Sequence, residues 1–272
     1  MSQSLINFLA AGLYLIVGGL LLRQLQRGRI LAGGARLGIF ALGLGAVLLH
    51  TAILYTGLLA GTEMNLALTN AASLLAWAVA ILFLVTALYR PVDNIGIVVM
   101  PLTGAVILVA WFWPSKPVVL PESSAWEFAH IIISMLAYGL LSLAAVQSLL
   151  LLAQERQLRH KHPGGFIRAL PPLQTMENLM FQLIGVGFGL LTLTVISGAF
   201  FSEQIFGQPL RFTHHVVLSV FAWFVFGILL LGRWRFGWRG RPAVRWTLGG
   251  FTLLVLAYFG TKFVLEILLS RT

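Results

Sequence analysis

Eight predominantly apolar runs, each of about 18 residues or more, recur along this chain. They fall at roughly 4–22, 37–60, 66–89, 95–113, 126–152, 178–201, 213–232 and 245–268. A helix of that length crosses a hydrocarbon core of about 30 Å. A segment in lipid must satisfy its own backbone amides, so each run is expected to be a helix, and the alternation of barrel strands is absent. Charged residues make up 10% of the 272, against about 25% in soluble domains. The expected fold class is an all-α integral membrane protein with eight transmembrane helices.

The charges between the runs carry the orientation. Arg23, Arg27, Arg29 and Arg36 follow the first run, Arg90 the third, and Arg156, Arg159, Lys161 and Arg168 the fifth. Arg233, Arg235, Arg239, Arg241 and Arg245 follow the seventh, leaving Lys116, Arg211, Lys262 and Arg271 of the 18 basic residues on the other side. The positive-inside rule then puts both termini outside. The first run carries its charges after the apolar stretch and lacks a small-residue cleavage site, which predicts an uncleaved first span. The segment "QERQLRHKHPGGFIRALPPLQTMEN" (154–178) reads as a cytoplasmic loop. The chain is expected to divide into four-helix halves, 1–125 and 126–272.

The net charge of +10 is accounted for by these arginines, which orient the spans and meet the lipid headgroups, so nucleic acid is not an expected partner. The absence of cysteine excludes disulfides, thiolate metal sites and iron–sulfur clusters. Clusters of small residues (Gly43, Gly45, Gly57; Gly185, Gly187, Gly189; Gly249, Gly250) predict close helix packing. "GVGFG" lies mid-span with no preceding strand, so it is not a nucleotide loop. There is no Gly-x-Ser-x-Gly elbow, His-Glu-x-x-His helix or phosphate loop to suggest a hydrolase.

Histidines are the ionisable residues that stand out, because such groups within spans are costly and mark function by default. His160 and His162 fall in the basic loop and read as ordinary loop residues. His50, in "VLLHTAILY", lies roughly 20 Å into the second span at ~1.5 Å per residue, and reads equally as an interhelical hydrogen-bonding group or a ligand. His130, in "WEFAHIIISMLAYG", opens the fifth span, with Ser134 and Tyr138 following on nearly the same face. His214 and His215, in "RFTHHVVLSVFAW", open the seventh, with Ser219 and Ala222 extending the face of His215. The alternation of spans brings His50, His130 and the His214/His215 pair toward one side of the membrane.

Zinc sites commonly use three or four protein ligands in polar surroundings, and proton relays usually add buried carboxylates. The acids near the spans (Glu63, Glu127, Glu203, Glu266) lie at span ends. Haem suits the setting better: one or two axial imidazoles inside an apolar and aromatic wall. Trp111, Trp113, Trp126, Phe200, Phe201, Phe206 and Phe212 fall near the same side, as interfacial aromatics also do. Scattered polar residues within the spans (Asn70, Ser73, Gln147, Gln182, Thr192, Thr194) give weaker support to a solute transporter, which would show broken helices and a mid-membrane site.

The stretch "HIIISMLAYGLLSLAAVQSLLLL" (130–152) resembles the histidine-headed helix of the CcsA/CcmC cytochrome c assembly family. "VLSVFAWFVFGILLLGRWRFGWRGRPAVRWTLGGFTLLVLAYFG" (217–260) resembles that family's terminal helix–turn–helix, and the resemblance covers 126–260 and leans toward the YpjD/HemX-like branch. It implies a bacterial inner (plasma) membrane protein that handles haem, with His130 as a haem ligand. Members that attach haem carry a tryptophan-rich external loop and a histidine near the end of the final helix. The matching loop here, "SGAFFSEQIFGQPLRFTHH" (197–215), has no tryptophan, and no histidine follows His215.

Two readings follow. In the first the chain is a non-enzymatic haem b-binding protein of haem handling or cytochrome complex assembly. His130 and His215 would be its axial ligands, with His214 or His50 as alternatives for the second. Ser134 or Ser219 would orient them, and Trp126 would line the site. In the second it is a cofactor-free scaffold or regulator of a cytochrome assembly or haem-biosynthesis partner, working through its cytoplasmic arginines.

Overall fold

The computed structural model describes residues 2–27, 33–60, 63–90, 92–114, 119–120, 125–159, 170–206 and 214–268. His160, His162, Lys116, Arg211 and Phe212 lie outside them, as do the side chains of Phe200, Phe201 and Phe206. Eight helices among these residues are long and apolar enough to span a membrane. They are α1 (Gln3–Gln26), α2 (Gly33–Leu58), α3 (Leu68–Tyr89), α4 (Asp93–Phe112), α5 (Ala125–Arg159), α6 (Leu173–Phe206), α7 (His214–Phe236) and α8 (Arg241–Leu268). The all-α membrane fold expected from the apolar runs is therefore what the chain adopts. Both α5 and α6 run well past their apolar cores, so 154–178 is a loop only in part.

Three short strands add a feature too brief for a sequence pattern to announce. β1 (Leu59–Ala60) and β2 (Glu63–Asn65) form an antiparallel hairpin, and β3 (Val119–Leu120) pairs with β2 through Met64 and Leu120. The patch ties the α2–α3 connection to the α4–α5 connection at one end of the bundle.

Alternating helices create two ends. The starts of α1, α3, α5 and α7 meet the ends of α2, α4, α6 and α8, as in the Gln3 Nε2 to Thr56 Oγ1 hydrogen bond of 3.2 Å and the Phe8–Phe112 ring contact of 6.1 Å. This is the histidine end. At the opposite, arginine end, Arg36 Nη2 donates to the Ala87 carbonyl at 2.6 Å, closing the last turn of α3. Arg233 donates to Glu177 Oε1 at 2.8 Å and to the Trp238 carbonyl at 3.1 Å, and lies 4.6 Å from the Phe181 ring. The "GWRGR" return between α7 and α8 needs glycine twice, since Gly237 and Gly240 have φ of 65° and 61°, a region costly for residues with a Cβ.

Lipid gives no hydrophobic drive between helices, so close packing and satisfied polar groups hold the bundle. One buried cluster runs through both four-helix sets, from Tyr14, Phe83 and Met100 to Leu141, Ile184 and Phe226. Between the sets, Asn94 Nδ2 donates to Gln147 Oε1 at 3.1 Å, and within the C-terminal set Gln147 Nε2 donates to the Met176 carbonyl at 3.2 Å. Several of the polar residues scattered through the spans are satisfied locally. Thr192 and Thr194 donate to carbonyls one turn back at 2.8 and 3.0 Å, and Asn70 donates to Gly57 O at 3.2 Å.

Close packing falls on Gly43, Gly187 and Gly250, where an added Cβ would come within 3.0 Å of Leu84, Leu141 or Phe226, while Gly45, Gly185, Gly189 and Gly249 have open space. The tightest approach of α1 to α4 uses glycines outside those clusters. At Gly18 a Cβ would lie 2.5 Å from Pro101 Cγ, and at Gly104 one would lie 3.0 Å from the Ala11 backbone oxygen. A backbone atom cannot rotate away as a side chain does. Gly104→Val is therefore expected to separate α1 from α4, costing about 1–3 kcal/mol or more. The measurement is thermal stability in detergent, and an unchanged melting temperature would contradict this packing.

Candidate functional site

The histidine end of the four C-terminal helices gathers polar side chains in an otherwise apolar setting. His130 stands on the second turn of α5. Its Nδ1 lies 2.7 Å from Ser197 Oγ on α6, and that hydroxyl is also 2.7 Å from the Leu193 carbonyl. A hydroxyl has one proton to give. With that proton on the Leu193 carbonyl, Ser197 would accept from the imidazole Nδ1. Metal-ligating histidines are typically held this way by an outer partner. The ring also lies against the α6 backbone, since a Cβ at Gly198 would stand 3.5 Å from His130 Cε1.

His215 is half-buried on the first turn of α7. Its ring meets Tyr258 of α8 edge-to-face at 6.1 Å, and Tyr258 meets Tyr138 of α5 at 6.4 Å. The buried Tyr138 donates to the Leu254 carbonyl at 3.1 Å. His130 and Ser197 thus join α5 to α6, and His215, Tyr258 and Tyr138 join α7, α8 and α5.

The other sequence candidates are placed differently. His50 is 0% exposed, with Nδ1 3.3 Å from Tyr14 Oη on α1 and Nε2 2.8 Å from Ser73 Oγ on α3. Both ring nitrogens are engaged inside the N-terminal helices. His214 is exposed at the first residue of α7. Ser134 donates to the backbone carbonyl of His130 at 2.7 Å, and the hydroxyl at the ring is that of Ser197. Trp126 is 73% exposed at the start of α5.

Ser197 and Tyr258 were not singled out by sequence reasoning. Ser197 sits in a stretch that reads as an external loop, yet α6 continues as helix to Phe206 and turns it toward α5. A serine–glycine pair at the end of an apolar run opposite a histidine-headed helix is the only signal available for it.

The donor set suits haem more than a bare metal ion. Among the described residues no three His, Cys, Asp or Glu side chains converge, whereas structural and catalytic zinc take three or four. Haem iron takes one or two axial ligands, imidazole prominent among them, and leaves its flat face to apolar and aromatic walls.

The sequence matches the family described as Cytochrome C assembly protein over residues 39–269. It is 32% identical to "Inner membrane protein YpjD" of Escherichia coli over 234 residues, 85% of each chain. It is 26% identical to "Protein HemX" of Brevibacillus brevis, covering 58% of this chain and 59% of that one. It is 25% identical to "Cytochrome c biogenesis protein CcsA" of Mesostigma viride, covering 69% and 70%. With eight spans and this likeness to an inner-membrane protein, the chain is a multi-pass protein of the bacterial inner membrane. Family match, relatives and helix pattern agree, and the chain belongs to the cytochrome c assembly protein family, in its YpjD/HemX-like branch.

Proposed function

We propose that this protein binds haem b at the histidine end of its C-terminal helices and serves haem handling or cytochrome complex assembly without haem-ligase activity of its own. The observation that carries this reading is the 2.7 Å His130–Ser197 hydrogen bond, at the same end of the C-terminal helices as His215 and Tyr258. His130 and His215 would hold the haem iron. His50 is left out because Tyr14 and Ser73 engage both its nitrogens, and the exposed His214 serves the wet edge. Bound haem supplies a redox-active iron. The chain's own residues orient the ligands (Ser197, Gly198), wall the site (Tyr138, Tyr258) and keep water out of it. The absence of tryptophan from 197–215 supports binding without ligation. The arginine end faces the cytoplasm, which puts the haem site and both termini on the outer side.

The test is an absorption spectrum of the full-length protein purified in mild detergent, oxidised and reduced, after haem supply during expression. A stoichiometric Soret band is expected. Its absence, even after reconstitution, would sink the haem reading and favour a cofactor-free scaffold working through the arginine end.

A further inference from the structure

On α8, Tyr258, Lys262 and Glu266 succeed one another at four-residue spacing near one face. The Lys262 ammonium lies 5.7 Å from the centre of the Tyr258 ring, which also meets His215 at 6.1 Å and Tyr138 at 6.4 Å. Lys262 Nζ donates to Glu266 Oε1 at 3.1 Å and to the Leu66 carbonyl, while Glu266 Oε2 accepts the Leu68 N–H at 2.8 Å. The two side chains are only 18% and 14% exposed. Among the described residues Lys262 is the one lysine or arginine at the histidine end.

A largely buried ion pair in the last turns of a span is costly. A lysine that merely anchored its helix would extend outward to the headgroups; this one folds inward over Tyr258. Its two contacts in series put the ammonium within about 12 Å of the His215 ring. That is comparable to the reach from the centre of a tetrapyrrole to its carboxylate arms. π-helical turns at Leu256–Gly260 and Val264–Leu268 bracket Lys262, and such turns are frequent at functional sites.

We propose that Lys262 is the carboxylate-binding residue of this site, selecting a dicarboxylic tetrapyrrole by one of its acid arms, and that Glu266 takes that place in the unloaded protein. This rests on the haem reading above. Loading exchanges one ion pair for another: Lys262 leaves Glu266 for the ligand carboxylate, and Glu266 keeps the Leu68 N–H. A lysine suits the exchange because it is a mobile point charge rather than a rigid fork.

The experiment titrates haem and its dimethyl ester into the full-length apoprotein in detergent, following the Soret band. The wild type is expected to bind the free acid about tenfold more tightly than the ester, the worth of one charge-assisted hydrogen bond. Lys262→Gln should weaken the acid to the level of the ester and leave the ester's affinity unchanged, which also shows the variant is folded. Glu266→Gln should widen the preference for the acid. Equal affinities in the wild type, or a preference that survives Lys262→Gln, would overturn the assignment while leaving haem binding intact. Equal loss of both ligands in Lys262→Gln would make the residue a staple between α8 and the start of α3, and overturn it too. No Soret band with the wild type would remove the haem reading and this one together.

Discussion

Replacing His130 by alanine is expected to remove the Soret band, or shift it to that of loosely held haem, with the protein still folded. His130 lies half-buried in a span held mainly by its neighbours, so alanine leaves a modest gap, and the Ser197 hydroxyl still donates to the Leu193 carbonyl. The stability cost should stay near the usual ~1 kcal/mol for a point change, while the loss of ligand is complete. Ser197→Ala separates orientation from ligation. It keeps both imidazoles but frees the His130 ring to rotate and change tautomer, and loss of such an outer partner typically lowers affinity by about 10- to 100-fold. His215→Ala is expected to change the coordination seen in the spectrum, because Tyr258 and His130 remain. Haem bound with wild-type affinity and spectrum by His130→Ala would refute this ligand set.

The second large effect is expected at His50, and it is of another kind. His50→Leu keeps roughly the volume of the ring but leaves the Tyr14 and Ser73 hydroxyls without the partner that links α1, α2 and α3. Ser73 has a remedy, since a serine in a helix can donate to a carbonyl one turn back, as Thr86 and Thr103 do here at 2.6 and 3.0 Å. Tyr14 is fully buried, and its phenol has no such alternative. Hydrogen bonds between membrane helices average about 0.6 kcal/mol and an orphaned buried group costs about 1–3 kcal/mol, so a loss of about 2–3 kcal/mol is expected. Thermal denaturation in detergent should show it, with the haem spectrum of the surviving protein unchanged. A folded variant that has lost its Soret band would instead make His50 a ligand.

The partners of His50 and His130 show how differently two similar sequence signals resolve. His50 and His130 are both single histidines in apolar runs, and the alternation of spans sends both toward the same side. Yet α2 turns His50 into a tyrosine and a serine that engage both its nitrogens, while α5 turns His130 toward α6, where Ser197 meets its Nδ1. Sequence spacing places a residue on a helix face; which helix that face meets depends on how all eight are packed.

The glycines make the same point. The clustered glycines of α6 are conspicuous in sequence, but only Gly187 is pressed against a neighbour, while the less conspicuous Gly18 and Gly104 let α1 and α4 touch.

The number of spans and their helical form follow from the sequence alone. Lipid offers backbone amides no partner, so a long apolar run has one stable conformation whatever surrounds it. The family was legible too, in the histidine-headed fifth span and the "GWRGR" turn, because both are local patterns. What only the tertiary structure decided is partnership: Ser197 for His130, Tyr14 and Ser73 for His50, and Lys262 folded in toward Tyr258 and Glu266. Helix association in lipid has no gradient of apolarity to read, and rests on shape and on single polar pairings between residues far apart in the chain.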